Sequence, residues 1–235
     1  MISIPKEILG LHVDIVRSRR RTAALYIIGN HLQVRVPQQI KDEHIIEILQ
    51  TKQSWIKKKV IQLKKVPIPK PKEFVSGEVF LFLGNNYRLK IQEGHQVGVA
   101  LSDQYLLTTV RKTDTDEKQK EKIKKYLEHW YRSRASEKLL EKVEHFSKLI
   151  GVCSKGLRVG NFKSKWGSCD SHSRLAFNWN LIKAPHSIID YIVIHELCHI
   201  IQPNHSKLFW REVEKYDPAY KDHRAWLRKH ANELI

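Results

Sequence analysis

The sequence predicts an α+β protein, with a mixed, β-rich region carrying one helix over residues 1–112 and a helix-dominated domain over 113–235. Three observations predict it. Short segments alternate apolar and polar residues at strand period up to Val110. Composition then shifts to a long charged amphipathic stretch. Beyond that, "SIIDYIVIHELCHIIQ" is apolar on nearly every side, as a helix inside a fold must be.

Residues 11–36 read as strands ("LHVDIV", "HLQVRV"), and "GN" at 29–30 between apolar runs is a hairpin signal. From Ile40 to about Leu63, Ile40, His44, Ile48, Trp55 and Val60 recur near helical spacing, until the three prolines of "VPIPKPKEF" (66–74) end the helix in a connection. "VFLFLGNNYRLKI", "VGVAL" and "YLLTTV" predict short antiparallel strands, and no internal repeat is visible. The charged segment that follows has Ile123, Leu127, Trp130, Leu139, Val143, Phe146 and Ile150 as its apolar stripe. Gly151 is placed to cap it, and its lysine and glutamate runs read as a solvated face. "LRVGNF" and "RLAFNWNLI" read as strands, and a helix begins near Ser187, where Ser187 and Asp190 have capping-box spacing.

The 235 residues are 41% hydrophobic and 29% charged, enough apolar material for a sizeable core. Lys+Arg 42 against Asp+Glu 25 leaves a net charge of +17, spread along the chain. This allows non-specific binding of DNA or another polyanion, although no stripe is basic and aromatic in the manner of a nucleic-acid groove. Cys153, Cys169 and Cys198 form no CxxC pair, which points to a reducing compartment. No run reaches the roughly 18 apolar residues of a membrane span, and "MISIPKEILG" lacks the pattern of a signal peptide. A soluble cytoplasmic protein is expected.

The chemistry concentrates in "HELCHIIQPNHS" (195–206). At about 100° per residue, His195, His199 and Gln202 share one narrow strip of the helix, with Glu196 to the side. Pro203 cannot continue the helix and Asn204 tolerates a sharp reversal, so the turn can bring His205 back toward the strip. If the next helix begins there, its N-terminal dipole favours neutral His205. Three neutral imidazoles suit one zinc ion per chain with a fourth position open to water. Glu196, beside the ligands without being one, is placed to act as general base, against the plainer reading of a buried salt bridge. A closed structural site needs a fourth protein ligand. Cys198 points to the opposite side of the helix, and nothing in the spacing of Asp217 or His223 singles them out.

The segment "FKSKWGSCDSHSRLAFNWNLIKAPHSIIDYIVIHELCHIIQPNHSKLFWREVEKYDPAYKDHRAWLRKH", with "VRSRRRTAALYI" and "LQVRVP" upstream, resembles the YgjP-like (SprT-like, domain of unknown function 45) metallopeptidase family over nearly the full length. "WGSC", "FNW", "HELCH", "NHS" and "FW" are its most specific pieces. The resemblance implies a zincin-like fold in the C-terminal half, with His195, His199 and His205 as zinc ligands, Glu196 as catalytic base, and a protein or peptide as substrate. The related SprT-like branch acts on proteins associated with DNA. In zincins a strand beside the metal helix commonly pairs with extended substrate, and "RLAFNWNLI" is the candidate here. Trp166, Gly167 and Asn178 are candidate cleft-edge or substrate-strand residues, with Gly167 permitting close backbone approach. Phe177 and Trp179 read as packing residues.

A zinc-dependent peptidase is therefore the leading reading. Its rivals are a metal-dependent hydrolase of a non-peptide bond, such as a nucleoside triphosphate phosphoanhydride, and a nucleic-acid-binding module with a structural zinc. No phosphate-cradling glycine loop accompanies the first.

Overall fold

The computed structural model describes residues 3–65, 71–111, 115–162 and 165–235. The chain divides into two compact units, Met1–Ile68 and Pro69–Ile235.

In the first unit, β1 (Glu7–Ile8), β2 (Leu11–Ser18), β3 (Ala24–Ile28) and β4 (His31–Pro37) form a sheet of order β1-β2-β4-β3. The hairpin at Gly29-Asn30 joins β3 to β4 as expected, with Ile28 opposite His31. Leu32, Val34 and Val36 alternate onto the buried face and pack with Ile45, Leu49 and Ile56 of two helices, α1 (Asp42–Thr51) and α2 (Gln53–Lys65). The single expected helix is thus broken at Lys52. Thr51 turns its hydroxyl back onto Glu47 O (2.8 Å), a bond that bends a helix end. The apolar stripe also runs one residue later than the spacing suggested, leaving His44 and Trp55 exposed.

In the second unit, β5 (Val79–Phe82), β6 (Asn85–Glu93), β7 (Gly98–Ser102) and β8 (Tyr105–Val110) form a sheet of order β5-β6-β8-β7. The outer pairs are antiparallel as expected, but β6 and β8 are parallel. Alternation reports which face of a strand is buried, not which neighbour it takes. The first unit has the same order, with β2 and β4 as its parallel pair. The chain therefore carries a repeated sheet topology that the sequence did not reveal.

The long amphipathic segment is one helix, α3 (Asp116–Ile150), and its entire expected stripe is buried together with Tyr131 and Ala135. Gly151 caps it in the left-handed conformation (φ +79°), its N–H donating to Ser147 O at 2.9 Å. Ion pairs three or four residues apart, such as Arg132–Glu128 and Lys138–Glu141, line its solvated face. Phe80, Phe82, Leu89, Leu106 and Val110 share one core with this helix, and Phe82 meets Trp130 with ring centroids 4.8 Å apart. The strands up to Val110 therefore belong with the C-terminal helices. The boundary lies at 68/69 rather than 112/113, because α3 buries its stripe partly against those strands.

A second sheet, of order β10-β11-β9, comprises β9 (Gly156–Gly160), β10 (Gly167–Cys169) and β11 (Arg174–Asn178). The expected strand "RLAFNWNLI" stops at Asn178, whose Oδ1 accepts from Asn180 N (3.0 Å) and turns 179–183 into a 3-10 helix. Helix α4 (His186–Ile201) starts without a side-chain cap, and Asp190 pairs with Lys142 of α3 (2.8 Å) rather than closing a box with Ser187. α5 (Lys207–Tyr216) and α6 (Tyr220–Leu234) complete the unit. Among the described residues no helix is long and apolar enough to cross a membrane.

Lys183, at the end of the 3-10 turn, donates to Leu234 O (2.8 Å) and lies over the Trp179 ring at 5.1 Å. Burial, with added repulsion from Lys72, pushes its ammonium down from 10.5 to about 8. Between these values the unfolded chain holds a proton that the folded chain has released, so folded stability rises with pH across that window and the burial penalty is fully present below it. Urea unfolding from pH 7.5 to 10 should show the wild type gaining stability relative to Lys183→Met, and parallel curves would contradict this placement.

Candidate metal centre

α4 lies inside the second unit, with Ile188, Ile189, Tyr191, Ile192, Val193, Ile194, Leu197 and Cys198 buried. Its polar side chains must find partners within the protein. His195 and His199, one turn apart, face one another with ring centroids 5.0 Å apart. The helix stops at Ile201, and Gln202 (φ −129°, ψ 99°) leads into the reversal at Pro203-Asn204. Ser206 caps α5, accepting from Phe209 N at 3.3 Å, so His205 stands just before the helix rather than in its first turn. Its Nε2 lies 3.0 Å from His195 Nε2.

Among the described residues, His195, His199 and His205 form a group of metal-donor side chains whose ligand atoms all lie within 4.8 Å of one another. Two nitrogens bound tetrahedrally at about 2.0–2.1 Å from one zinc would stand about 3.3 Å apart, close to the His195–His205 separation. His199 Nδ1 lies 3.1 Å from Gln202 O, an acceptor that makes Nδ1 the protonated nitrogen and leaves Nε2 free to ligate. Burial, reinforced by the other two imidazoles, pushes His195 down to about 3, and burial also lowers His199. Both are therefore neutral, the form that binds metal. Phe209 stacks on His199 (4.4 Å) and Trp210 on His205 (5.6 Å), fixing the rings. The donor set and its protonation state fit zinc.

Glu196 is only 6% exposed and lies outside the imidazole group. Burial pushes its carboxyl up to about 7, against the opposing effects of Lys165 and the Cys169 N–H. Gly167 of β10 lies directly against it. A Cβ there would meet Glu196 Cγ at 2.6 Å and Oε1 at 2.7 Å, so only glycine lets the strand approach.

The other sequence candidates separate. Among the described residues β10 pairs only with β11, whereas β11 has β9 and β10 on its two sides. The edge strands are therefore β10 and β9, and the one against Glu196 is Gly167–Cys169, whereas "RLAFNWNLI" is central. Asn178 is buried, and its Nδ2 donates to Phe162 O (2.8 Å). It is tied to the Phe162 backbone rather than exposed at a cleft edge. Trp166 is half-buried against the main core, its carbonyl accepting from Asn178 N (2.8 Å). Phe177 and Trp179 are core residues, as expected. Cys198 is buried with its thiol pushed up to about 12, and Asp217 pairs with His223 (2.8 Å), so none of these joins the imidazoles. The sequence reading gave no role to Lys165, Phe209, Trp210 or Arg224. The quoted "FW" after "NHS" was the available signal for the two aromatics, since four and five residues past His205 fall one turn along the following helix.

The family model described as "YgjP-like, metallopeptidase domain" matches residues 21–230, so the chain belongs to the YgjP-like metallopeptidase family. Two solved structures are similar to part of it. The metallopeptidase zymogen of Pyrococcus abyssi abylysin is 24% identical, with 39% of this chain and 93% of that one covered at a TM-score of 0.36. The metallopeptidase zymogen of Methanocaldococcus jannaschii jannalysin is 20% identical, with 41% and 97% covered at a TM-score of 0.36. Among curated proteins none matches this sequence.

Gly167→Ala should destabilise the protein by about 1–3 kcal/mol, the usual cost of overpacking. In a Glu196→Ala background, which removes the three nearest atoms the new methyl would strike, the cost should fall. Chemical unfolding of the four proteins in the cycle measures it, and an equal cost in both backgrounds would refute the contact.

Proposed function

We propose that this protein is a zinc-dependent peptidase in which His195, His199 and His205 hold the metal and Glu196 is the general base. The observation that carries the reading is the convergence of three imidazoles within 4.8 Å beside a buried carboxylate that is not one of them. A bound zinc ion supplies Lewis acidity toward a carbonyl and toward water. The protein does the rest. The edge of β10 offers backbone groups to an extended peptide and places its scissile amide beside Glu196. Glu196 takes the proton of the attacking water at a carboxylate oxygen and passes it to the departing amine nitrogen. The Cys169 N–H, which opposes the upward shift of this carboxyl, and the close approach of Gly167 bear on its position. Phe209 and Trp210 pack against the imidazoles and hold their orientation. Three free thiols suit a reducing, cytoplasmic setting.

Glu196→Gln keeps size and shape but removes the base. Turnover should fall by about 10²–10⁴ while zinc content and melting temperature hold. His205→Ala should lose zinc first and activity as a consequence. Paired zinc analysis, melting and peptide hydrolysis read both variants. Zinc loss in Glu196→Gln would make the glutamate a ligand, and unchanged activity would remove it from the mechanism.

A further inference from the structure

Two cations stand near the site, and among the described residues neither forms an ion pair, although Lys165 acts on the Glu196 carboxyl. Lys165 precedes β10. Its ammonium donates to Ser168 Oγ (2.8 Å) and lies 5.2 Å from the centre of the Phe162 ring. Ser168 is the middle residue of the edge strand whose Gly167 touches Glu196. Arg224 of α6 places its guanidinium 4.9 Å from the centre of the Trp210 ring, which itself lies 5.6 Å from the rings of both His195 and His205. Both charges reach the site: Lys165 acts on Glu196, and Arg224 on His195 and Tyr191.

Some other basic residues of the same region are paired, as in Arg174–Asp170, Lys215–Glu212 and Lys221–Glu214. Asp217 is occupied by His223. Among the described residues Lys165 and Arg224 form no ion pair. A basic surface carries many solvated cations, and most do nothing specific. These two are singled out by place: Lys165 bonds to Ser168 of the strand whose Gly167 touches Glu196, and Arg224 lies over Trp210, part of the wall around the imidazoles. Such packing holds the charged heads in place before a ligand arrives and lowers the ordering cost of binding.

We propose that Lys165 and Arg224 set the substrate class, selecting peptides with acidic side chains flanking the scissile bond. This rests on the peptidase reading above. A peptide laid along β10 toward His205 passes Lys165 near Glu196 and then Arg224 over Trp210. Arg224 can take a carboxylate through two parallel N–H donors, and Lys165 acts as a point charge at the strand. A basic side chain at either place meets a like charge that forms no ion pair among the described residues, so rejection contributes along with attraction.

The test uses zinc-loaded Glu196→Gln protein, so that bound peptide is not consumed. Fluorescence anisotropy compares three labelled peptides of equal length, with Glu, Gln or Lys flanking one central bond. The Glu peptide should bind at least about tenfold tighter than the Gln peptide. Lys165→Glu and Arg224→Glu should each remove most of that preference, and together they should reverse it toward the Lys peptide. Lys165→Met and Arg224→Met, which keep the apolar stems, should lose the preference while melting temperature holds. Equal affinities for the Glu and Gln peptides would overturn the proposal, as would a preference that survives both reversals. So would tighter binding of inorganic triphosphate that is lost in the same variants, which would assign the cations to a phosphate substrate. Wild-type hydrolysis of the Glu peptide reads the underlying mechanism separately. The predicted binding preference without Glu196-dependent cleavage would leave the cation assignment standing and sink the peptidase reading.

Discussion

Burial of α4 is the constraint on which the site depends. A helix apolar on nearly every face lies within the core, and water cannot solvate the polar groups it carries. Desolvation keeps His195 and His199 neutral and raises the Glu196 carboxyl to about 7. On an exposed helix the same residues would titrate near their ordinary values and bend with their rotamers. Here Phe209 and Trp210 hold the rings, and Gly167 leaves room for the carboxylate. The helix thus supplies electrostatics and geometry at once, a combination suited to acid–base and metal chemistry.

Much of this was legible in the sequence because it is local. The one-turn spacing of His195 and His199 follows from helix period, and Pro203 announces the reversal that returns His205. The α3 stripe and its cap at Gly151 are likewise properties of neighbouring residues. What escaped depends on partners distant in sequence. The strand after Arg174 was expected to receive substrate, but its two sides are taken by β9 and β10. Its early end reflects one side chain, Asn178, capping the following turn. Gly167 stood out as a glycine, yet the carboxylate it accommodates is 29 residues further on. Arg224 reaches the site only because α6 packs its start beside Trp210. No periodicity encodes such a contact.

The repeated sheet makes a related point about context. β1-β2-β4-β3 and β5-β6-β8-β7 share strand order and pairing directions, yet they end in different cores. The first closes on two short helices and a small set of apolar residues, Leu11 to Ile56. The second lies against the 35-residue α3 and shares its interior with α4. One topology therefore serves as a self-contained unit in one place and as part of the scaffold around the imidazole group in the other. Helix length makes the difference, because only a stripe as long as that of α3 spans both the sheet and α4.

X-ray absorption at the zinc edge tests most directly the claim that three imidazoles and no other side chain hold the metal. The zinc-loaded protein should give a first shell of nitrogen and oxygen only, at about 2.0–2.1 Å, with the outer-shell scattering of three imidazole rings. A sulfur scatterer at about 2.3 Å would bring a cysteine into the site. That result, or scattering from only two imidazoles, would contradict the account.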